Sequence, residues 1–508
     1  MLHGILLIKL KKRKKTMKRI IASILLAVLM LTCMIGTLTS CGVKKPAKDF
    51  EMPDGGYDGS AVTIKFYHTN GAALSSILVD AIEAFNKIYP NITIDHKSYG
   101  DYDALLNQIS TEVTVGNQPH LAYCYPDHVA TYNEAGAVQT LDVFINSDIV
   151  LNGADGSSET IGYTQEQIDD FISAYYEEGK AFGDGKMYSI ALAKSTEVLY
   201  YNKTVFDKLG LDVPTTWEEV EEVCLALKAY DEKCIPLGYD SEANWFITMC
   251  EQYGSDYTSA TGENFLFNNK TNRDFVNKFR EMFQDRLVIT KTLSGGYTSA
   301  LFTGEVKSDD TTSEAAKGTR CYMCIGSTGG ASYQQPQETD DGYDFEVGIA
   351  PIPQINPENP KVISQGPSLC LFKKDNPQEV LASWLFAKFL TTNVEYQARV
   401  SESNGYVPVM KSVQDDPTFS SFLSGIDKST GEVNNTKYIT AYAVRTAIEQ
   451  ADHCYTSPAF SGSSVARIQV GLLMNKCFTI RPGEQLTDDD LKKIFDEYVA
   501  ECKYQSGQ

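Results

Sequence analysis

The sequence predicts an α/β protein of two sizeable domains, sent out of the cell by an N-terminal signal. Strand-period and helix-period stretches alternate in a βαβαβ series from Val62 onward. With 508 residues, 43% of them hydrophobic, the chain can fill two separate cores. Its first forty residues gather positive charge ahead of a short apolar run.

Val62, Ile64 and Phe66 alternate with Thr63, Lys65 and Tyr67, which is a strand period. Leu74, Ile77, Leu78, Ala81, Ile82, Phe85 and Ile88 then recur at helical spacing until Pro90-Asn91 stops the helix. Ile92 and Ile94 open a second strand. A second helix aligns Leu105, Leu106, Ile109 and Val113, and a third strand covers Leu121 to Tyr125. Connections of this kind are right-handed crossovers, so a mainly parallel sheet with helices on both faces is expected. The pattern resumes at Tyr188 to Ala193 and at Glu197 to Tyr201. Thr216-Trp-Glu-Glu219 is a capping box, Asn376-Pro377 opens a later helix, and Thr487-Asp-Asp-Asp490 opens the last one. In such sheets ligands sit beyond the carboxyl ends of the strands. That rule points to His68-Thr69-Asn70, Tyr125-Pro126-Asp127 and Ser195-Thr196-Glu197.

Residues 1–40 carry eight basic side chains and no acid, followed by the apolar run Ile20 to Leu31, too short to span a membrane comfortably. Leu38-Thr39-Ser40-Cys41 resembles the bacterial lipobox, which implies a signal peptide over 1–40, lipidation of Cys41 and a stable diacyl anchor on the outer face of the membrane. Met17 is a second candidate start. Residues 41–59 are polar and Gly/Pro-containing and read as a flexible stalk. The remainder holds 37 basic residues against 66 acidic ones, a formal charge of −29. A basic-patch mode of binding nucleic acid or anionic lipid is excluded at that balance.

The twelve cysteines give no four-ligand zinc spacing; Cys321-Tyr-Met-Cys324 falls in a strand-like run and reads as packing, and pairing of Cys224 with Cys234 stays open. There is no nucleophile elbow, His-Glu-x-x-His or Gly-Lys-Thr loop, and the six histidines show no metal spacing. A binding protein is expected, without cofactor, metal or catalytic activity of its own.

Several short stretches, in this order and spacing, carry a resemblance. They are Val62-Thr-Ile-Lys-Phe-Tyr-His68, Phe85-Asn-Lys-Ile-Tyr-Pro90, Gly116-Asn-Gln-Pro119, Leu141-Asp142, Leu199-Tyr-Tyr-Asn-Lys203, Leu209-Gly-Leu211, Pro214-Thr-Thr-Trp217 and Gly405-Tyr-Val-Pro408. Over Val62 to Ser412 the chain resembles the family-1 extracellular solute-binding proteins, receptors of ABC importers. The resemblance implies a two-lobed, periplasmic-binding-protein-like fold of type II, a hinged clamshell that closes on a small molecule and docks, as a monomer, on membrane permease subunits. It implies crossings between lobes near Ile190 to Ser195, Ile349 to Pro353 and Phe372 to Asn376. One lobe then holds 60–190 and 352–374, the other 196–348 and 376–508.

Within the family the chain looks closest to receptors for glycerol-3-phosphate and glycerophosphodiesters. That likeness implies ligand contacts from Ser195, Thr196, Ser327, Thr328, Gly366 and Tyr406, and sets Tyr253 where those receptors carry a stacking tryptophan. His68, Asn70, Tyr125, Asp127 and Glu197 join them from the strand-end loops, and Trp245 as a possible platform for a sugar face. The stretch Phe460-Ser-Gly-Ser-Ser464 lacks an arginine to hold a phosphate, with Arg467 only nearby, so the ligand expected here is a mono- or oligosaccharide. A glycerol-phosphate receptor is the alternative, and a surface glycan-binding protein serving adhesion or sensing is the alternative of another class.

Overall fold

The computed structural model describes residues 49–306, 308–339, 342–425 and 436–508. The signal, the lipobox and Cys41 lie outside the described residues.

Two sheets organise the chain. The first runs in the order Ile92–Ser98, Val62–His68, Leu121–Cys124, Ser368–Phe372, Val138–Gln139, with Ile190–Ala191 also paired to Ser368–Phe372. Its opening three strands are parallel, in register from Val62 opposite Ile92 to His68 opposite Ser98. Ser368–Phe372 enters antiparallel, because it comes back from the other half of the molecule. The second sheet runs Val288–Thr290, Leu237–Tyr239, Met323–Ser327, Glu197–Asn202, Val347–Pro351. Here Glu197–Asn202 is antiparallel to both neighbours.

The helices form where the periodicity places them. Ala72–Ile88 buries Ile77, Leu78, Ala81 and Phe85 on one face. Trp217–Tyr230 and Asp488–Gln505 both start with a complete capping box, from Thr216 with Glu219 and from Thr487 with Asp490. Pro377–Thr392 has Pro at its first turn and seats Trp384 against Phe144, ring centroids 5.5 Å apart, with the indole N–H donating to Ile161 O at 2.8 Å. All ten described cysteines are free thiols, and those of Cys321 and Cys324 are buried among packing groups.

The division between cores differs from the one implied above. Val380 to Leu390 and Val407 to Phe422 pack on the first sheet, with Ala441, Val444 and Ala447. Ile352 and Val362 belong with the second, as do Phe460 to Cys502. The reason is where the chain crosses. Val347–Pro351 stays in the second sheet and the residues after Phe372 stay with the first; the return crossing is 363–368. This segment lies antiparallel to 192–195, with Leu192 N–H donating to Pro367 O (3.0 Å) and Ser195 and Gln365 exchanging both backbone bonds (2.9 and 2.8 Å). Gly366, at φ +91°, is required there, since a Cβ would lie 2.4 Å from Ala193 O. A third strand-like segment, Cys454–Tyr455, pairs in parallel with Val362–Ile363.

The latter part of the expected stalk is not a free linker. Phe50 packs on Phe144 at 4.5 Å, Tyr57 on Tyr89 at 6.1 Å, and Asp49 meets Lys373 at 2.6 Å. Two aromatic residues in a polar stretch were the signal for this docking.

Candidate functional site

Beside these crossings lies a cavity of about 50 Å³, walled by residues of both cores. At its hinge end sits Glu178, 5% exposed. Its carboxylate accepts from Lys194 Nζ (2.5 Å), Ser364 Oγ (2.8 Å), Ser368 Oγ (3.0 Å) and Thr456 Oγ1 (3.4 Å). Lys194 belongs to the first crossing, Ser364 and Ser368 to the second, and Thr456 follows the third segment. One buried anion thus ties all three together, and its four donors satisfy it.

The first wall is aromatic. Tyr125 ends the third strand and precedes Pro126–Glu134, with Pro126 at the first helical position and Asp127 in the acid-favouring first turn. The Tyr125 ring stacks on Tyr102, centroids 4.3 Å apart and planes 28° apart. Burial pushes the phenols of Tyr125, Tyr102 and Tyr406 well above their usual range, so all three stay neutral. Tyr406 lies over Gly329, where a Cβ would come within 2.7 Å of the ring.

The second wall holds charge. Arg467, on helix Ser463–Thr479, lines the cavity together with Ile247, Tyr257 and Thr258. Its guanidinium donates to Asn244 Oδ1. Asn244 Nδ2 donates to Glu197 Oε1 at 2.9 Å, and Tyr239 O–H donates to Glu197 Oε2 at 2.5 Å. Burial works against the Arg467 charge, but Asp127, Tyr257, Tyr125 and Tyr455 outweigh it and hold its pKa above the usual value. Burial raises the Glu197 carboxyl to about 7, against the opposing bonds from Tyr239 and Asn244. Toward the mouth, Thr131 Oγ1 meets Ser464 Oγ at 3.0 Å and Ser461 donates to Glu134 at 2.7 Å, joining the two walls. Among the described residues, the Tyr257 hydroxyl, the Thr258 hydroxyl and the Gln365 amide nitrogen on this cavity are buried with no protein partner. Such groups are costly unless something polar meets them.

Of the residues singled out from the sequence, Tyr125 and Asp127 line the cavity. Ser195, Thr196, Ser327, Thr328 and Gly366 form the joint beneath it. Ser327 Oγ donates to Ser195 Oγ (3.2 Å), Thr328 N–H to Thr196 O (2.9 Å) and Thr196 Oγ1 to Ile363 O (2.8 Å).

Five expectations need correction. Trp245 is fully buried in the second core, stacked on Tyr239 at 4.8 Å and 12°, and is not a platform for a ligand. Tyr253 is 41% exposed and lies flat against Phe275 at the end of its helix, away from the cavity. Tyr257, four residues on, takes the wall position instead. Glu197 has both oxygens occupied by protein donors and so does not accept from a ligand hydroxyl. His68 is fully buried: its Nδ1 accepts from Asn70 N–H (3.2 Å), which leaves Nε2–H to donate to His96 Nδ1 (3.0 Å). Asn70 is 7% exposed and belongs to the same buried turn.

Sequence reasoning missed Tyr102, Glu178, Tyr257, Gln365 and Thr456, and set Arg467 aside. One signal for Arg467 was present: in Ser463–Thr479 it and Lys476 are the only charged residues.

The comparisons agree with this architecture. The sequence signature of the bacterial extracellular solute-binding protein matches residues 80–422, about two thirds of the chain. The sn-glycerol-3-phosphate-binding periplasmic protein UgpB of Escherichia coli K12 is 24% identical over 386 residues, covering 74% of this chain and 81% of UgpB. Among solved structures, UgpB of Mycobacterium tuberculosis in complex with glycerophosphocholine superposes with a TM-score of 0.64 at 16% identity, covering 88% of this chain and 98% of that one. Maltose-bound MalE3 of T. maritima superposes with a TM-score of 0.63 at 15% identity, covering 88% and 100%. These are two-lobed type II binding proteins, and the fold is shared. With two sheets joined by antiparallel crossings, a cavity between them and this match along the sequence, the chain belongs to the bacterial extracellular solute-binding proteins, the ligand-capturing components of ABC importers.

Proposed function

We propose that the chain captures a small polyol bearing an anionic group, a glycerol phosphate or glycerophosphodiester, between its two lobes and delivers it to a membrane permease. Arg467 carries this reading. The preference for a neutral sugar rested on a missing arginine, and Arg467 lies on the cavity wall. A fork of guanidinium donors in a dehydrated cleft matches a phosphate oxygen pair. The unpartnered Tyr257, Thr258 and Gln365 groups supply hydroxyl-directed bonds beside it. Ligand contacts to both walls favour the closed arrangement over the open one, and the closed form is the one presented to the permease.

A neutral sugar is the second reading, favoured by one observation: Asp127 already opposes the Arg467 charge across the cleft. Calorimetric titration of the mature protein with sn-glycerol 3-phosphate, glycerophosphocholine and maltose separates the two. Binding of the phosphates is expected, and at about a hundred times the dissociation constant it adds about 2.7 kcal/mol of apparent stability. Binding of maltose alone would overturn the anionic reading. The lipobox further supports anchoring through Cys41 on the outer face of the cell membrane; incorporation of labelled fatty acid, lost in Cys41→Ser, is the test of that anchor.

A further inference from the structure

Behind the second wall lie two buried polar residues that do not line the cavity and that the packing alone does not call for. Glu197 is 1% exposed at the start of a central strand, and Asn244 is 5% exposed in the first turn of Glu242–Tyr253, its N–H bonded to Ser241 Oγ at 3.2 Å. Their bonds run in one direction. Both Glu197 oxygens accept, Oε2 from Tyr239 and Oε1 from the Asn244 amide, which turns its NH2 toward it. That turn leaves Asn244 Oδ1 facing Arg467, and an oxygen is what a guanidinium needs. With the amide reversed, NH2 would face a guanidinium, a repulsive contact in place of a bond. Tyr239, stacked on Trp245, secures the other Glu197 oxygen, so the first member of the series is fixed by the core.

We propose that Glu197 and Asn244 are positioning residues that orient the Arg467 guanidinium toward the interlobe cavity before ligand arrives. This rests on the reading of Arg467 as the anion-binding donor. Arginine carries substantial rotamer freedom, and a side chain already held loses less of it on binding. The proposal explains why a carboxylate sits beside a ligand-facing loop with no oxygen free: its work is done through the amide. It also explains why Asn244 stands on the buried face of a helix that otherwise turns Trp245, Phe246, Ile247 and Met249 inward.

The experiment combines two readouts on the mature protein, with sn-glycerol 3-phosphate as the probe. Nitrogen-15 NMR of arginine side chains, assigned by Arg467→Gln, reports guanidinium rotation without ligand. Calorimetry reports affinity. In the parent protein the Arg467 Nη groups should give separate, slowly exchanging signals. In Asn244→Leu they should merge, and affinity should fall about tenfold or more. Glu197→Leu, which frees the amide to reverse, should do the same to a lesser degree, and it stands in if Asn244→Leu fails to fold. Glu197→Gln should rescue both readouts to within about threefold, because the Tyr239 hydroxyl can turn to accept from the new NH2 while the new Oε1 still accepts from Asn244. Separate Arg467 signals and unchanged affinity in both leucine variants would overturn the proposal. Unchanged affinity in Arg467→Gln would instead overturn the ligand reading, and the rotation of the parent's Arg467 would still decide the positioning.

Discussion

The two walls of the cleft are built by different means. The first-lobe side is aromatic: Tyr125, on the cavity, is stacked on Tyr102, and Tyr406 is pressed over Gly329, neutral phenols whose rings are already packed. The second-lobe wall holds charge: Arg467, Asn244, Glu197 and Tyr239 form one hydrogen-bonded series. Stacked rings lose little freedom on binding and discriminate weakly among ligands with flat apolar faces. A guanidinium discriminates strongly but must be held. A clamshell with one wall of each kind can admit ligand on the tolerant side and test it on the exacting side as it closes.

The comparison breaks most severely at the hinge that joins the walls. Lys194→Met leaves the Glu178 carboxylate buried with only hydroxyl donors. Removing one partner of a buried pair costs about 3–5 kcal/mol. Urea unfolding should show that loss, and the double variant with Glu178→Gln should recover part of it, since the uncompensated charge is then gone.

The next effect is confined to the second wall and depends on pH. Glu197 keeps its proton up to about 7 when folded, against an ordinary 4.5. Between those values the unfolded chain releases the proton first, so the folded state is disfavoured progressively as pH rises through that window. The difference corresponds to about 3 kcal/mol. Buried His68, lowered to about 4, acts in the opposite sense, losing stability as pH falls from its ordinary 6.5. Comparing Glu197→Gln with the parent cancels that contribution. The variant should be the more stable of the two at pH 8 and equal at pH 4.5, by melting temperature. Equal slopes would show that Glu197 is ionised throughout and that the series carries a full negative charge.

How much of this was legible depended on the range of the interactions. Alternation in Val62–His68 and helical spacing in Ala72–Ile88 are local, so elements and caps follow from neighbouring residues. Tyr125 and Asp127 were found because strand order determines which loops border a cleft. Tyr253 was misplaced because it ends the helix Glu242–Tyr253 while the wall aromatic, Tyr257, stands four residues on, and a sequence rich in tyrosine offers nothing to choose between them. Arg467 and Glu178 depend on segments far apart in the chain. Glu178 takes its partners from positions 194, 364, 368 and 456, and no local pattern reports such a meeting. The crossing at 363–368 was missed because Gly366-Pro367 reads as an ordinary turn until its strand partner is known.

The predictions on affinity sharpen the contrast between walls. Arg467→Ala should weaken glycerol 3-phosphate by about 2 kcal/mol, some thirtyfold, while leaving melting temperature within a few degrees, since charge-assisted bonds contribute about 1.5–3 kcal/mol. Tyr125→Leu should weaken every ligand alike by about 1 kcal/mol, the usual value of one stacked pair beyond its area. If Tyr125→Leu instead changes selectivity between phosphate and sugar, the first wall reads more than shape and the division of labour fails. Tyr253 provides the control. Its ring lies against Phe275 outside the cavity, so Tyr253→Ala should leave affinity unchanged and remove only that surface stacking, within about 1 kcal/mol of stability. A loss of affinity in Tyr253→Ala would mean that ligand contacts extend past Tyr257 to the end of the helix, adding a second aromatic ring to the charged wall.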